Sequence, residues 1–242
     1  MNIREKVLLD VDGLRREGPV TVVAFGDSVT HGALAEGEMD YDTVYWNRFR
    51  LMIQKRYSYI PVNVINAGIG GDAAPYALDR MESQVLCHRP DLVIVCFGLN
   101  DVNHSKEDYL AALREIFRRL REAGVEAVFL TPNMLNTYVA EGTPARYLDY
   151  AAVTARYQTE GRMDEYMEGA VAVAREAGVP VADAYAEWKK MAASGVDTTL
   201  LLANRINHPT REMHALFAEC LMETVFPEEG KGAAHSTMYQ GK

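Results

Sequence analysis

The chain has 242 residues, of which 48% are hydrophobic and 24% charged, and its 34 acidic and 25 basic side chains give a formal net charge of -9. This composition excludes a disordered or fibrous protein, and the acidic balance repels polyanions, so we expect no nucleic-acid partner. We assign residues 1–226 to one α/β domain, because the length suits a single hydrophobic core. Residues 227–242 are polar and rich in small side chains, which predicts a flexible C-terminal tail.

The N-terminal segment mixes charged and apolar residues and lacks the apolar stretch of a secretory signal, so we expect a cytoplasmic protein. No segment approaches the roughly 18 apolar residues of a membrane-spanning helix, and we expect no membrane association.

Cys87, Cys96 and Cys220 are few and odd in number, which predicts reduced thiols. They form no CxxC pair and the histidines lack ligand spacing, so we expect neither a metal nor another cofactor.

Five short apolar segments have the character of buried β-strands, at residues 20–25, 62–66, 92–97, 127–131 and 179–183. Helical spacing of apolar residues marks four segments between and after them, at 43–56, 109–123, 163–177 and 210–225. Asp42 and Thr43 are possible caps of the first helix, and Gly124 is a C-terminal stop for the second. Alternating strands and helices predict a doubly wound α/β fold with a parallel sheet.

Residues 133–162 form a longer connection than usual, which is either a partly helical insertion or a cover over the active site. It carries four tyrosines, Tyr138, Tyr147, Tyr150 and Tyr157. These side chains either pack locally or between subunits, or they line a substrate site. A homo-oligomer is compatible with the sequence.

The first predicted strand ends in Gly26, Asp27 and Ser28, at the edge where open α/β sheets bind ligands. We expect a serine at this position to be exposed. Serine and glycine are also ordinary turn residues, and hydroxyl and N–H groups before a helix suit a bound phosphate or flavin as well.

Polar residues follow the second and third strands too. Gly70 and Gly71 lie in a glycine cluster where the backbone bends tightly or approaches a ligand, and Asn100 follows the third strand. Each of these residues taken alone is equally an ordinary turn residue. His208 precedes Pro209, and because proline is favoured at the first helical position, we expect His208 at a helix entry. We assign His214 a packing role in the first turn.

The four motifs GDS, GIGGD, GLND and NHP occur in the order and approximate spacing of the SGNH (GDSL-type) hydrolases, and the chain resembles that superfamily over nearly its whole length. The resemblance implies a flavodoxin-like three-layer sandwich, with a five-stranded parallel sheet of order 2-1-3-4-5. It also implies that Ser28 is the nucleophile and His208 its base. The oxyanion hole is then formed by the backbone N–H groups of Ser28 and Gly71 and the amide of Asn100, with Gly70 as the alternative to Gly71.

Serine becomes a strong nucleophile when an adjacent base takes its proton, and the imidazole pKa of about 6.5 suits that task. We therefore expect Ser28 and His208 to be in contact. The family usually carries Asp three residues before the histidine, and this chain has Arg205 there. We expect a Ser-His dyad in which Arg205 turns its guanidinium away from the ring. A backbone carbonyl in residues 203–205, the Asn204 side chain, or a carboxylate such as Asp183 or Asp197 then orients the ring.

These residues predict a carboxylic ester hydrolase that forms an acyl-serine intermediate on a small-molecule ester with a short acyl group, for example an acetylated sugar. The alternative is a non-catalytic ligand-binding protein on the same fold, which lost turnover together with the acid of the triad. A flavin- or phosphate-binding protein would leave Asn100 and His208 without roles. The acidic side chains at 36–42 are predicted to lie in a solvated loop, or else to disfavour anionic substrates.

Overall fold

Five parallel β-strands form the centre of the computed structural model, which describes residues 1–227. They are β1 (Val20–Gly26), β2 (Val62–Gly68), β3 (Leu92–Cys96), β4 (Glu126–Leu130) and β5 (Val181–Ala182). Their order is β2-β1-β3-β4-β5, and every neighbouring pair is parallel. The predicted fold class and strand order are therefore confirmed, and each predicted strand overlaps an observed one.

Helices cover both faces of this sheet. The α-helices are α1 (Ile3–Lys6), α2 (Val11–Glu17), α3 (Ser28–His31), α4 (Tyr45–Arg56), α5 (Ala74–Ala77), α6 (Met81–Gln84), α7 (Lys106–Glu122), α8 (Leu148–Thr159), α9 (Arg162–Glu176), α10 (Ala184–Ala193) and α11 (Met213–Val225). Short 3-10 helices span Leu78–Arg80, Leu86–His88, Asp101–Asn103, Ala145–Tyr147 and Thr198–Leu201. In the part of the chain from residue 1 to 227, none of the helices combines the length and hydrophobicity needed to cross a bilayer.

The central strands supply the core. All five residues of β3 are buried, and so are six of the seven residues of β1, whereas edge strand β2 is partly exposed. Continuous apolar runs of this kind are typical of parallel strands with helices on both faces. All three cysteines are free thiols, as predicted. The predicted tail at 227–242 lies, from residue 228 onward, outside the described residues.

Helix α7 begins three residues earlier than predicted, because Ser105 caps it by accepting a hydrogen bond from the Asp108 N–H. Its predicted end is confirmed, since Gly124 follows the last turn with φ of 68°. A glycine adopts this left-handed conformation without the steric penalty of a side chain.

Asp42 and Thr43 do not cap helix α4, and this prediction is wrong. The helix begins at Tyr45 after Val44, which makes no side-chain capping bond. The N–H groups of Asp42 and Thr43 instead donate to the carboxylate of Asp40, at 2.9 Å each. These residues therefore form a turn around Asp40 before the helix starts.

Pro209 is not the first residue of a helix, and the predicted helix entry at His208 is also wrong. Helix α11 begins at Met213. Pro209 forms an isolated antiparallel bridge with Leu202, and the N–H of Thr210 donates to the carbonyl of Leu201 at 2.9 Å. His208 consequently lies in a loop that is paired along its length with residues 201–203.

Two buried carboxyl groups lie just beyond the carboxyl ends of β1 and β3. Asp27 and Asp101 are at most 1% exposed. One oxygen of each accepts a backbone N–H, from Val29 and Ala74 respectively, and the other oxygen has no partner among residues 1–227. Burial, which disfavours the charged form, raises the pKa of each carboxyl to about 7.

We expect the substitution Asp101→Asn to raise the melting temperature at about pH 8.5 and to have a smaller effect at about pH 5. The folded-state pKa of about 7 exceeds the ordinary value of 3.8. The stability that the protonated carboxyl provides is therefore fully present below the ordinary value and is lost as the pH rises through 7. For a carboxyl this deeply buried, the loss is on the order of a few kcal/mol.

Thermal unfolding at both pH values measures this effect, with Asp79→Asn at an exposed position as the control. We expect the control to leave the difference between the two melting temperatures unchanged. An equal destabilisation by Asp101→Asn at both pH values would contradict the assignment.

Candidate active site

Ser28 and His208, which are 180 residues apart in the sequence, are in contact as expected. The Oγ of Ser28 lies 3.0 Å from the Nε2 of His208. Ser28 is the first residue of α3 and follows Asp27, whose side chain caps this short helix. The serine is buried, so the prediction that it is exposed is wrong. Because β1 ends at Gly26, the strand and the cap together place the serine at the carboxyl edge of the sheet.

The second nitrogen of the His208 ring bonds to the backbone. Its Nδ1 lies 2.8 Å from the carbonyl oxygen of Leu34. A carbonyl oxygen can only accept a hydrogen bond, so Nδ1 carries the proton and Nε2 presents its lone pair to the Ser28 hydroxyl. This tautomer is the one in which the imidazole can take the proton of the serine.

The position of this acceptor differs from the sequence prediction. A backbone carbonyl was one of the predicted alternatives, but it was expected in residues 203–205 and not at Leu34. The side-chain oxygen of Asn204 accepts instead from the N–H groups of residues 206–208 and so shapes the loop that carries the ring. Asp183 accepts from Thr131 and caps α10, so it does not orient His208 either.

Arg205 turns away from the ring, as predicted. Its guanidinium donates to the carbonyls of Leu200 and Leu202. Its backbone has φ of 61°, in the left-handed region that residues with a side chain rarely adopt. The position where the family carries its acid is therefore part of a tight turn that supports the loop and does not contact Nδ1.

Leu34 lies in a short hairpin that we define as residues 33–39. Ala33 and Met39 form an isolated antiparallel bridge, and the N–H of Leu34 donates to the carbonyl of Glu38 at 3.0 Å. The Leu34 side chain is buried, which anchors its backbone beside His208. Sequence reasoning missed this residue, and no signal could have found it, because every residue carries a carbonyl.

The environment of His208 lowers its pKa below the ordinary value of 6.5. The main cause is burial, which disfavours the imidazolium, and the hydrogen bond to the Leu34 carbonyl offsets part of this effect. His214 has the packing role that the sequence predicted. It is buried, it accepts from the Tyr45 N–H at 3.2 Å, and burial lowers its pKa to about 3.

Gly71 and Asn100, two of the predicted oxyanion residues, lie in separate loops that a hydrogen bond joins. Gly71 follows β2 with φ of 78°, and the amide of Asn100 donates to the carbonyl of Asp72 at 2.8 Å. Arg80 holds the loop of Gly71 and Asp72 through an ion pair with Asp72 at 2.6 Å and through a bond to the Gly26 carbonyl at the end of β1. Sequence reasoning also missed Arg80, since nothing in its local sequence distinguishes it from a surface arginine.

A cavity of about 230 Å³ opens beside His208, between the hairpin and the connection at 133–162. Tyr147 and Tyr150 line it. Tyr138 instead donates to Asp197, and Tyr157 lies against the Arg162 guanidinium. The connection is thus partly helical, through α8, and also contributes two tyrosines to the wall of the site.

Two other features complete the surroundings. A larger cavity of about 550 Å³ lies at the amino ends of the strands, and among residues 1–227 no serine, cysteine or histidine lines it. The acidic segment at 36–42 is mostly exposed, which agrees with the predicted solvated loop. Three of its carboxylates also form ion pairs with arginines elsewhere in the chain: Glu36 with Arg146, and Glu38 and Asp40 with Arg211.

Comparison with solved structures supports the same fold. Axe2, an acetylxylan esterase from Geobacillus stearothermophilus, aligns with 22% identity and a TM-score of 0.66 over 86% of this chain and 95% of its own. LAE5, an alpha/beta hydrolase enzyme from the metagenome of Lake Arreo, aligns with 20% identity and the same TM-score over the same shares.

Among curated proteins, the platelet-activating factor acetylhydrolase IB subunit alpha1 of Bos taurus is 33% identical over 73 residues, which are 30% of this chain and 32% of that protein. The uncharacterized lipoprotein YqeF of Bacillus subtilis is 28% identical over 127 residues, 49% of this chain and 51% of its own. The chain thus spans about a third to a half of the length of these relatives.

The sequence model of the GDSL-like lipase/acylhydrolase family matches residues 24–216, a range that includes Ser28, Gly71, Asn100 and His208. The chain therefore belongs to the GDSL-like lipase/acylhydrolase family.

Proposed function

We propose that this chain is a serine carboxylic ester hydrolase that acts through an acyl-serine intermediate. The observation that carries the proposal is the 3.0 Å contact between the Ser28 hydroxyl and His208 Nε2, together with the bond from Nδ1 to a carbonyl. The two bonds leave Nε2 as the proton acceptor beside a hydroxyl at the sheet edge. Membership of a family of lipases and acylhydrolases supports the same class of reaction.

In the first half of the reaction, Ser28 Oγ attacks the ester carbonyl carbon while His208 Nε2 takes the hydroxyl proton. The carbonyl oxygen becomes negative, and the N–H groups of Ser28 and Gly71 and the Asn100 amide stabilise it. The imidazolium then donates its proton to the alcohol oxygen, the ester C–O bond breaks, and the acyl group stays on Ser28.

In the second half, a water molecule gives a proton to His208 Nε2 and attacks the acyl carbon. The tetrahedral intermediate collapses, the bond to Ser28 breaks, and the proton returns from His208 to the serine oxygen. The carboxylic acid leaves and the dyad is restored. Throughout the cycle, the Leu34 carbonyl keeps the Nδ1 proton in place, so the ring alternates between two defined states.

We further propose that the substrate is a short-chain acyl ester of a sugar or a similar polyol. The leaving alcohol must face His208, because His208 protonates it, and the cavity of about 230 Å³ lies on this side. Its walls combine the rings of Tyr147 and Tyr150 with the polar side chains of Asn204 and Asn207. Such a lining suits a small, hydroxyl-rich group, and the structurally similar Axe2 is described as an acetylxylan esterase.

The alternative, a ligand-binding protein without turnover, predicts no covalent labelling by a fluorophosphonate. We expect Ser28→Ala to abolish both this labelling and ester hydrolysis, a loss of several powers of ten, because the hydroxyl forms the covalent bond. The melting temperature should be unchanged. Ser58→Ala, at an exposed position, is the matched control and should retain both activities. Hydrolysis by Ser28→Ala at more than about a tenth of the wild-type rate would contradict the proposal.

Asn100→Ala should lower kcat by roughly 10²- to 10³-fold and change KM much less, since an oxyanion donor acts mainly on the transition state. Steady-state kinetics on acetyl esters measures the two constants. Asn103→Ala removes a neighbouring amide that bonds to the Asn100 carbonyl and Tyr150, and it should leave kcat within a few-fold of wild type. A rise in KM alone for Asn100→Ala would make the residue a substrate contact.

The pH dependence of kcat/KM should show an ascending limb with its midpoint below 6.5, because burial lowers the pKa of His208 and the neutral ring is the base. As the pH falls through this midpoint, the ring becomes protonated and activity is lost. Rates on an ester with a non-titrating leaving group measure the profile, and exposed His88→Gln should not move it. A midpoint above 6.5 would contradict the role assigned to the burial of His208.

A further inference from the structure

Arg211 lies three residues after His208 and binds two carboxylates of the segment that supplies the acceptor of His208. Its Nε donates to Asp40 Oδ2 at 2.6 Å, and its Nη2 donates to Glu38 Oε1. The Arg211 side chain is 45% exposed, whereas that of Asp40 is 13% exposed. One guanidinium therefore ties the histidine loop to the hairpin.

The two carboxylates are themselves connected to Leu34 through the backbone. Glu38 accepts the N–H of Leu34 on its carbonyl at 3.0 Å, so the two residues face each other across the hairpin. The N–H of Asp40 donates to the Gly32 carbonyl at 2.8 Å, which closes the base of the hairpin. These hydrogen bonds connect the residues that carry the two carboxylates to the backbone of Leu34 and Gly32.

Asp40 is the more rigid of the two anchors. Its carboxylate accepts the N–H groups of Asp42 and Thr43 and the Thr43 hydroxyl, in addition to the Arg211 guanidinium. These donors hold the pKa of Asp40 at about 2, so its charge persists across the working pH range. Arg211 thus meets a fixed anion at the base of the hairpin and a second anion, Glu38, opposite Leu34.

The contacts of Arg211, Glu38, Asp40, Leu34 and His208 form a closed cycle. His208 bonds to Leu34, residues 34–40 connect Leu34 to Glu38 and Asp40, and Arg211, which binds both carboxylates, is three peptide bonds from His208. We propose that Arg211 is a positioning residue, which holds the Leu34 carbonyl at Nδ1 of His208 by fixing the hairpin through Glu38 and Asp40. This inference rests on the proposed function of the dyad. In this chain, these contacts orient the imidazole, as an acid at position 205 does in the family.

An exposed ion pair contributes little to folding stability, so the ion pairs of Arg211 should affect catalysis more than the melting temperature. Arg118 offers a matched control. It also binds two carboxylates, Glu115 and Glu122, and its side chain is 45% exposed, but it lies on the outer face of α7. Any effect common to losing such an ion pair will appear in Arg118→Gln as well.

The test compares kcat, KM and melting temperature for Arg211→Gln and Arg118→Gln on a small acetyl ester. We expect Arg211→Gln to lower kcat roughly three- to tenfold with little change in KM, because a base held less firmly reacts more slowly after the substrate has bound. Its melting temperature should stay within about 2 °C of that of Arg118→Gln. Arg211→Lys, which keeps the charge, should recover part of the lost kcat.

Coupling between the partners provides a second measurement. The double variant Arg211→Gln/Glu38→Gln should lose less kcat than the product of the fold-losses in the two single variants, since both substitutions remove the same contact. Asp40→Asn should lower kcat in the same way. Multiplicative effects of Arg211→Gln with both partner substitutions would overturn the proposal, and so would an unchanged kcat in Arg211→Gln.

Proton NMR of the ring separates this inference from the proposed function. The hydrogen-bonded Nδ1–H of His208, assigned by its absence in His208→Gln, should be visible in wild type and in Arg118→Gln, and broadened or lost in Arg211→Gln. The same loss in a protein without esterase activity would support the positioning role and overturn only the proposed function. A resonance that persists unchanged in Arg211→Gln would overturn the positioning role, whatever the activity.

Discussion

The hydrogen bond from His208 Nδ1 to the Leu34 carbonyl determines what the site can do, because a carbonyl oxygen accepts and never donates. The ring is therefore held in the tautomer whose Nε2 faces the Ser28 hydroxyl. A carboxylate in this position would also attract the imidazolium and raise its pKa. With a neutral acceptor, burial is the larger effect and the pKa falls. Orientation is thus kept, while the extra electrostatic stabilisation of the charged ring is given up.

This bond joins two irregular segments, and each is closed by contacts of its own. The hairpin has a bridge between Ala33 and Met39, and the histidine loop has one between Leu202 and Pro209. Within the histidine loop, Arg205 occupies the left-handed region, at a cost on the order of 1 kcal/mol. Three N–H groups converge on the Asn204 side chain and stabilise the turn. The geometry of the dyad is therefore maintained by loops that are themselves internally bonded.

The carboxyl edge of the sheet carries this dyad and also two buried carboxyl groups, whose charged forms are unfavourable there. Asp27 and Asp101 are buried there with one unpartnered oxygen each, among residues 1–227, and their pKa values rise to about 7. The ion pair between Arg80 and Asp72 keeps the adjacent loop in place. Burial of this kind costs stability, and the apolar strands β1 and β3 beneath it provide the core that offsets the cost. The low dielectric that makes the carboxyls costly also strengthens the hydrogen bonds made at this edge of the sheet.

The sequence by itself determined the five strands and their parallel arrangement, because these depend on apolar periodicity and on the alternation of strands and helices. The strand order and the choice of Ser28, Gly71, Asn100 and His208 came from the resemblance of four motifs to the SGNH hydrolases. The sequence also indicated that the position of Arg205 could not supply an acid. Only the tertiary structure decided that Leu34 orients the ring, across 174 residues of sequence. The physical reason is that the acceptor is a backbone carbonyl, a group that every residue carries. Folding of the hairpin against the histidine loop selects one carbonyl among many, and no residue pattern encodes that choice locally.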